Sequence, residues 1–187
     1  MLTPKQLLRK KISRLKQSLP EETIADLSLK IGERLVQTDL FLQSKCIALY
    51  YEIDNEVRTS NLIDTWSHHK IIVLPVVDGG KIHFYPYNGK ENLKTGAYGI
   101  QEPVDAVGYF AASDIDLFVI PGIAFDDSCN RLGRGKGYYD NYLSGVDKPV
   151  IGLCYDFQLV DRIPTDMRDK KMTMVITESA IVSPHHQ

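Results

Sequence analysis

Residues 116–155 read DLFVIPGIAFDDSCNRLGRGKGYYDNYLSGVDKPVIGLCY. Two short apolar runs, DLFVIPG (116–122) and PVIGLCY (149–155), bracket a polar, glycine-spaced loop and a helical stretch over 137–145. Continuous apolar strands joined through a helix belong to a parallel sheet that is covered on both faces. If the first strand runs parallel to the second, the loop after it opens at the carboxyl rim, where such sheets bind their ligands.

The same texture extends outward from this segment. CIALYY (46–51), KIIVLPVV (70–77) and MTMVI (172–176) are further apolar runs, and a helical stretch over 55–67 supplies another crossover. The expected fold class is therefore α/β: a three-layer, Rossmann-like arrangement with a mostly parallel sheet and helices on both faces. DGGKIHFYPY (78–87) differs, with Gly-Gly leading into an alternating strand, so an antiparallel hairpin is expected at one edge. Residues 88–112 have no periodicity and carry Gly89, Gly96, Gly99 and Pro103, which reads as a long loop over one face. Three loops follow strands directly: YEIDNEVRT, AFDDSCNRLGRGKG and YDFQ. In a parallel sheet they share one rim.

At the N-terminal end, residues 3–19 predict a helix with Leu8, Ile12, Leu15 and Leu19 as its apolar stripe. At about 100° per residue, Lys5, Arg9 and Lys16 line up beside that stripe while Lys10 and Arg14 point away. A second helix is expected from Pro20-Glu21-Glu22 to near Thr38, with Ile24, Leu27, Ile31 and Leu35 inward. No repeat or linker interrupts the chain, so 1–187 is read as one domain, with 181–187 as a loose tail.

Composition narrows the function. The 187 residues suffice for one full core, and 22 Lys+Arg against 24 Asp+Glu give no global pull toward nucleic acid or anionic membrane. Any basic site is local. No run approaches the length of a membrane span, and the N-terminal stretch is too charged for a signal peptide; a cytoplasmic, monomeric protein is expected. Cys46, Cys129 and Cys154 include no close pair, which argues against disulfides and zinc. Cys46 and Cys154 lie in apolar runs and read as buried, whereas Cys129 lies in the loop, where exposure is open to it. His68, His69, His83, His185 and His186 have no metal spacing and receive no catalytic role.

In NRLGRGKGYYDNYL (130–143), Gly133, Gly135 and Gly137 alternate with Arg134 and Lys136. Alternating glycines let successive backbone N–H groups turn toward one anion, and a helix start and two cations follow. The loop is not a Walker A motif, because Gly137 rather than Ser or Thr follows Lys136. Taken alone it allows a phosphate cradle, a flexible basic surface loop or a nucleic-acid contact. Asp140 answers either a helix dipole or a magnesium ion beside phosphates. Tyr138 and Tyr139 serve packing or stack on a flat ligand.

The segment PGIAFDDSCNRLGRGKGYYDNYL resembles the signature of the 5-formyltetrahydrofolate cyclo-ligase family, the 5,10-methenyltetrahydrofolate synthetases. The likeness runs in order along nearly the whole chain. Lys5 and Arg9 match the family's Lys-x-x-x-Arg opening; Glu56, Val57, Arg58 and Thr59 match its acidic element after the first strand. Residues 96–103, GAYGIQEP, match its G-aromatic-G-I-x-E-P segment with one extra residue after the first glycine. The resemblance implies conversion of 5-formyltetrahydrofolate to 5,10-methenyltetrahydrofolate with ATP and Mg2+. It implies ATP contacts from Lys5, Arg9 and the run Arg131, Leu132, Gly133, Arg134, Gly135, Lys136, Gly137, Tyr138 and Tyr139, with Arg134 and Lys136 catalytic. It further implies folate contacts from Tyr51, Glu56, Tyr98, Tyr138 and Tyr139, and a metal on Asp140. One departure stands out: Thr173 occupies the place of the family's second acidic residue, so either water or Asp169 supplies the second metal contact or Asp140 and phosphates hold the metal alone.

Two other readings compete. Another small-molecule phosphotransferase on this scaffold would keep the loop without needing a formylated folate. A non-catalytic module that sequesters folate would bind without ATP turnover.

Overall fold

The computed structural model describes residues 2–53, 56–96, 99–104, 108–166 and 169–184. Helices α1 (Pro4–Gln17), α2 (Glu21–Val36) and α3 (Asp39–Gln43) lead into β1 (Cys46–Ala48), α4 (Ser60–Trp66), β2 (Ile71–Asp78) and β3 (Lys81–Pro86). A short hairpin, β4 (Leu93–Thr95) with β5 (Gln101–Pro103), precedes β6 (Leu117–Pro121). The loop region then holds β7 (Ala124–Asp126) and β8 (Arg131–Leu132), followed by α5 (Tyr138–Leu143) and β9 (Val150–Leu153). The chain closes with β10 (Leu159–Val160), β11 (Met174–Ile176) and β12 (Ile181–Val182).

Seven strands form the central sheet in the order β12-β11-β9-β6-β1-β2-β3. The five inner strands run parallel, and both edge strands, β3 and β12, are antiparallel. The expected hairpin is present: Asp78 pairs with Lys81 across Gly79 and Gly80, whose φ values of 53° and 80° suit the two-residue turn that matches strand twist. The second edge was not anticipated. Ile181 and Val182 pair with β11 where the sequence suggested a loose tail; 185–187 lie outside the described residues.

Burial on both faces explains why the strands read as unbroken apolar runs. Ile47, Leu49, Leu117, Val119, Ile151 and Leu153 face α2, α3 and α4 through Ile31, Leu35, Phe41 and Ile63. Ala48, Val73, Phe118, Ile120 and Val150 face the other way, toward Phe84, Phe125 and Leu143. A small sheet, β10-β7-β8, covers this second face beside α5, and α1 docks on it through Ile12 against Ala124, Leu132 and Ile163.

Helix α1 begins with a capping box: Gln6 N donates to Thr3 Oγ1 at 3.3 Å, and Thr3 N donates to Gln6 Oε1 at 2.8 Å. Its inward face differs from the expected one. Leu15 is exposed, while Lys16 is buried with Ile12, so the basic line is part of the docked face rather than beside it. The region 88–112 is not one long loop either, since it contains the β4–β5 hairpin. Cys129 is fully buried, with φ of 60°, and its thiol donates to the Val182 carbonyl at 3.6 Å. A tightly turned loop thus encloses the cysteine that position alone left open to solvent.

From β1 the chain moves through α4 to β2 and β3 on one side, then fills β6, β9 and β11 on the other. Loops leaving β1 and β6 consequently diverge, and the crevice between them is the topological switch point of the sheet. Phe125 packs against Gly122, which lines the crevice, and against Gly152 of β9. A Cβ at Gly152 would lie 2.2 Å from that ring, and one at Gly122 would lie 2.5 Å from it. Gly152→Ala is expected to cost about 1–3 kcal/mol through overpacking. The measurement is a urea titration, in which the midpoint falls with an unchanged slope. Adding Phe125→Leu to that chain should return part of the loss, and strictly additive losses would refute the clash.

Candidate active site

At the switch point lies a cleft of about 450 Å³. Tyr50, Tyr51, Ile53 and Glu56 enter it from the loop after β1, and Pro121 and Gly122 from the end of β6. Gly133, Arg134, Lys136 and Gly137 form a third wall, and Tyr138, Tyr139 and Asp140 continue it into α5. Pro75, Val77, Ile82 and Ile100 complete an apolar side. One end is apolar and flat-walled while the other is cationic, as a ligand with a ring and an anionic portion would require.

The glycine-spaced loop is held open by its own backbone. Gly135 and Gly137 have φ of 102° and 71°, conformations that a side chain would strain. Gly137 caps α5 in the left-handed region, and Asn141 N donates back to its carbonyl at 2.9 Å. With only six residues, α5 offers a weak dipole, so full charges must dominate any attraction for an anion. Arg9 supports the loop from behind, its Nε donating to the Gly133 carbonyl at 2.9 Å.

The cations differ sharply in situation. Lys136 is exposed on the cleft wall. Arg134 is about half exposed, and its Nη2 and Nε reach Glu56 Oε1 at 3.0 and 3.4 Å. Arg131 is buried instead: Nη2 donates to Asp140 Oδ1 at 2.9 Å, Nη1 donates to the Pro121 carbonyl at 3.2 Å, and its guanidinium carbon lies 5.5 Å from the Tyr139 ring centre. Arg131 thereby fastens α5 to the end of β6 and fixes where Asp140 points. Leu132 turns its side chain into the cluster around Ile12, so only its backbone belongs to the loop.

Glu56 is the chemically loaded group. Burial pushes its carboxyl above the usual range, and Arg134 and then Lys16 pull it back. Its second oxygen, Oε2, accepts from Ile53 N at 3.3 Å. The backbone is pinned from below, where the buried Tyr155 hydroxyl donates to the Glu56 carbonyl at 3.0 Å. Ser28 Oγ lies 3.0 Å from that hydroxyl and accepts from Arg58 N at 3.0 Å, so α2, β9 and the β1 loop meet at one point. Burial also raises the phenol pKa values of Tyr139 and Tyr50, and the Tyr50 hydroxyl donates to the Val57 carbonyl at 2.9 Å.

Two nearby acids have roles the sequence did not disclose. Glu52, four residues before Glu56, takes the helix-terminal role: its carboxylate accepts from Thr59 N at 3.0 Å and Ser60 N at 2.9 Å, capping α4. Glu102 is buried beside the apolar wall, and a Cβ on Gly96 would lie 2.0 Å from its carboxylate. It locks the β4–β5 hairpin, in which Gly96 N donates to the Ile100 carbonyl at 2.7 Å. Tyr98, expected as a folate contact, lies outside the described residues.

Lys5 does not line the cleft. Its ammonium sits 2.9 Å from Asp169 and 3.5 Å from Asp166; burial opposes the charge, but the two carboxylates outweigh it and raise the pKa. Asp169 is thereby engaged and does not line the cleft, and Thr173 Oγ1 accepts from Val150 N at 3.0 Å. Among the described residues no group of three His, Cys, Asp or Glu side chains could hold a metal. Asp140 alone with phosphate oxygens suits Mg2+, which keeps several waters and takes one or two carboxylates. No helix among the described residues is long and apolar enough to cross a membrane.

This geometry has counterparts. A chain with the same fold, the 5,10-methenyltetrahydrofolate synthetase of Aquifex aeolicus, is 35% identical with a TM-score of 0.89, covering 99% of this chain and 95% of its own. A second, from Mycoplasma pneumoniae, has a TM-score of 0.77 at 29% identity over 94% of this chain and 99% of its own. The 5-formyltetrahydrofolate cyclo-ligase of Haemophilus influenzae is 31% identical over 170 residues, 87% of either chain. The 5-formyltetrahydrofolate cyclo-ligase family model matches residues 2–178. The apolar wall and the basic glycine loop both lie within the matched residues, and the chain belongs to the 5-formyltetrahydrofolate cyclo-ligase family, a family of ligases.

Proposed function

We propose that this protein converts 5-formyltetrahydrofolate to 5,10-methenyltetrahydrofolate, consuming ATP with Mg2+ and releasing ADP and phosphate. One observation carries the reading: a single cleft joins the buried carboxylate Glu56, set among tyrosines and an apolar wall, to the cationic loop of Arg134 and Lys136. The flat pterin ring, rich in N–H donors, suits the first part, with Tyr51, Tyr138 and Tyr139 as neighbours and Tyr98 as an added stacking partner. The triphosphate suits the second.

The chemistry demands such a pairing. A formyl oxygen is a poor leaving group, so ring closure by N10 needs it activated. Transfer of the γ-phosphoryl group to that oxygen makes it leave as phosphate once N10 has bonded to the formyl carbon. The protein's share in phosphoryl transfer is positioning and charge neutralisation. Lys136 and Arg134 face the transferred group, the amides of Gly133, Gly135 and Gly137 approach phosphate oxygens closely, and Arg9 holds the loop in shape. Leu132 contributes its backbone to the same run. Asp140 would hold Mg2+, which supplies further neutralisation of the phosphates when bound, while Arg131 keeps that carboxylate oriented. Lys5 reaches ATP only by leaving Asp169. The reading also takes the protein as monomeric and cytoplasmic, with no nucleic-acid or membrane partner.

Absorbance in the methenyl-folate band tests the reaction with purified protein, 5-formyltetrahydrofolate, Mg2+ and ATP. An ATP-dependent rise is expected, and tight folate binding without any rise would mark a sequestering protein. Lys136→Ala should lower kcat by about 10² with a smaller change in folate KM, as removal of one preorganised charge does. An equal loss in binding would move Lys136 to the folate. Asp140→Asn should raise the Mg2+ concentration giving half-maximal rate, and an unchanged titration would remove the metal role.

A further inference from the structure

We propose that Arg134 is shared between the two halves of the cleft and couples them: with no nucleotide bound it neutralises Glu56, and nucleotide phosphate draws it away, so that each substrate tightens the binding of the other. This rests on the proposed function for the identity of the ligands.

The geometry sets Glu56 and nucleotide phosphate in competition for Arg134. Two of its three guanidinium nitrogens, Nη2 and Nε, converge on one atom, Glu56 Oε1, at 3.0 and 3.4 Å. The other oxygen already accepts from Ile53 N at 3.3 Å. A ligand that offers N–H donors to this carboxylate therefore competes with the guanidinium for Oε1. The two partners are also unequally held. Glu56 is buried and its backbone is fixed by Tyr155, so it cannot follow a departing partner. Arg134 is about half exposed on a loop flanked by Gly133 and Gly135, and can turn toward an anion along the same wall.

Folate that arrives first must break the pair, which weakens its apparent affinity. Nucleotide that arrives first has already broken it. Thermodynamic linkage makes the benefit reciprocal for binding. Glu56 Oε1, once the guanidinium has left it, is open to N–H donors from the cleft.

Binding of 5-formyltetrahydrofolate is measured by calorimetry with and without a non-hydrolysable ATP analogue and Mg2+, and again with tripolyphosphate as a probe lacking the base. The wild-type protein should bind folate about tenfold more tightly with either anion, within the usual range of coupling factors. In Glu56→Gln the ratio of affinities with and without analogue should fall close to one, even though folate itself binds more weakly. Arg134→Gln provides a second chain in which the ratio also collapses. A wild-type ratio of one, or the same ratio in both variants as in wild type, would overturn the coupling without touching the proposed function. Failure of the wild-type protein to bind folate at all would instead sink the proposed function, and the coupling with it.

Discussion

A buried hydroxyl organises this molecule. Tyr155 leaves the end of β9 and donates to the carbonyl of Glu56, while Ser28 of α2 meets the same oxygen. The Tyr155 hydroxyl donates to Glu56, so the Ser28 hydroxyl is the donor between those two. Ser28 in turn receives Arg58 N. Tyr155, Ser28 and Glu56 are all buried, and an unmade bond there would cost about 1–3 kcal/mol. The loop after β1 is therefore anchored to two elements distant in sequence, and the Glu56 carboxylate is presented at a fixed depth. The glycine loop, which lacks such an anchor, is steadied from outside by Arg9 and from below by Arg131.

Much of the central sheet was legible because its inner strands are buried on both faces, so apolar runs such as 117–121 and 150–153 stand out. The small β10-β7-β8 sheet was not, since strands of two or three residues carry no period. Neither was the β4–β5 hairpin, whose pairing depends on Glu102 packing against Gly96 rather than on alternation. For α1 the period was right but the face was off: docking on Leu132 and Ile163 selected Ile12 and Lys16 and left Leu15 outside.

The site shows a similar division. A loop with three alternating glycines and two cations is local information, and its place in the cleft followed from strand order. The division of labour between Glu52 and Glu56 was not local. Two carboxylates four residues apart look equivalent until α4 claims one for its exposed N–H groups and burial beneath Arg134 claims the other. The ion pairs that Lys5 makes with Asp169 and Asp166 were equally illegible, because those carboxylates lie more than 150 residues away along the chain.

The attachment of α1 has a consequence for how the protein is made. This helix is synthesised well before the elements it packs on, since its apolar and hydrogen-bonded partners include Leu132, Gly133, Ile163 and Asp169, more than a hundred residues later. During synthesis it has nothing to dock on until most of the sheet exists, and forming those contacts closes a very long loop. The half of the cleft that carries positive charge is consequently assembled last. A chain halted before residue 163 has β1, β2, β6 and β9 but lacks part of the platform that seats Arg9 behind the glycine loop.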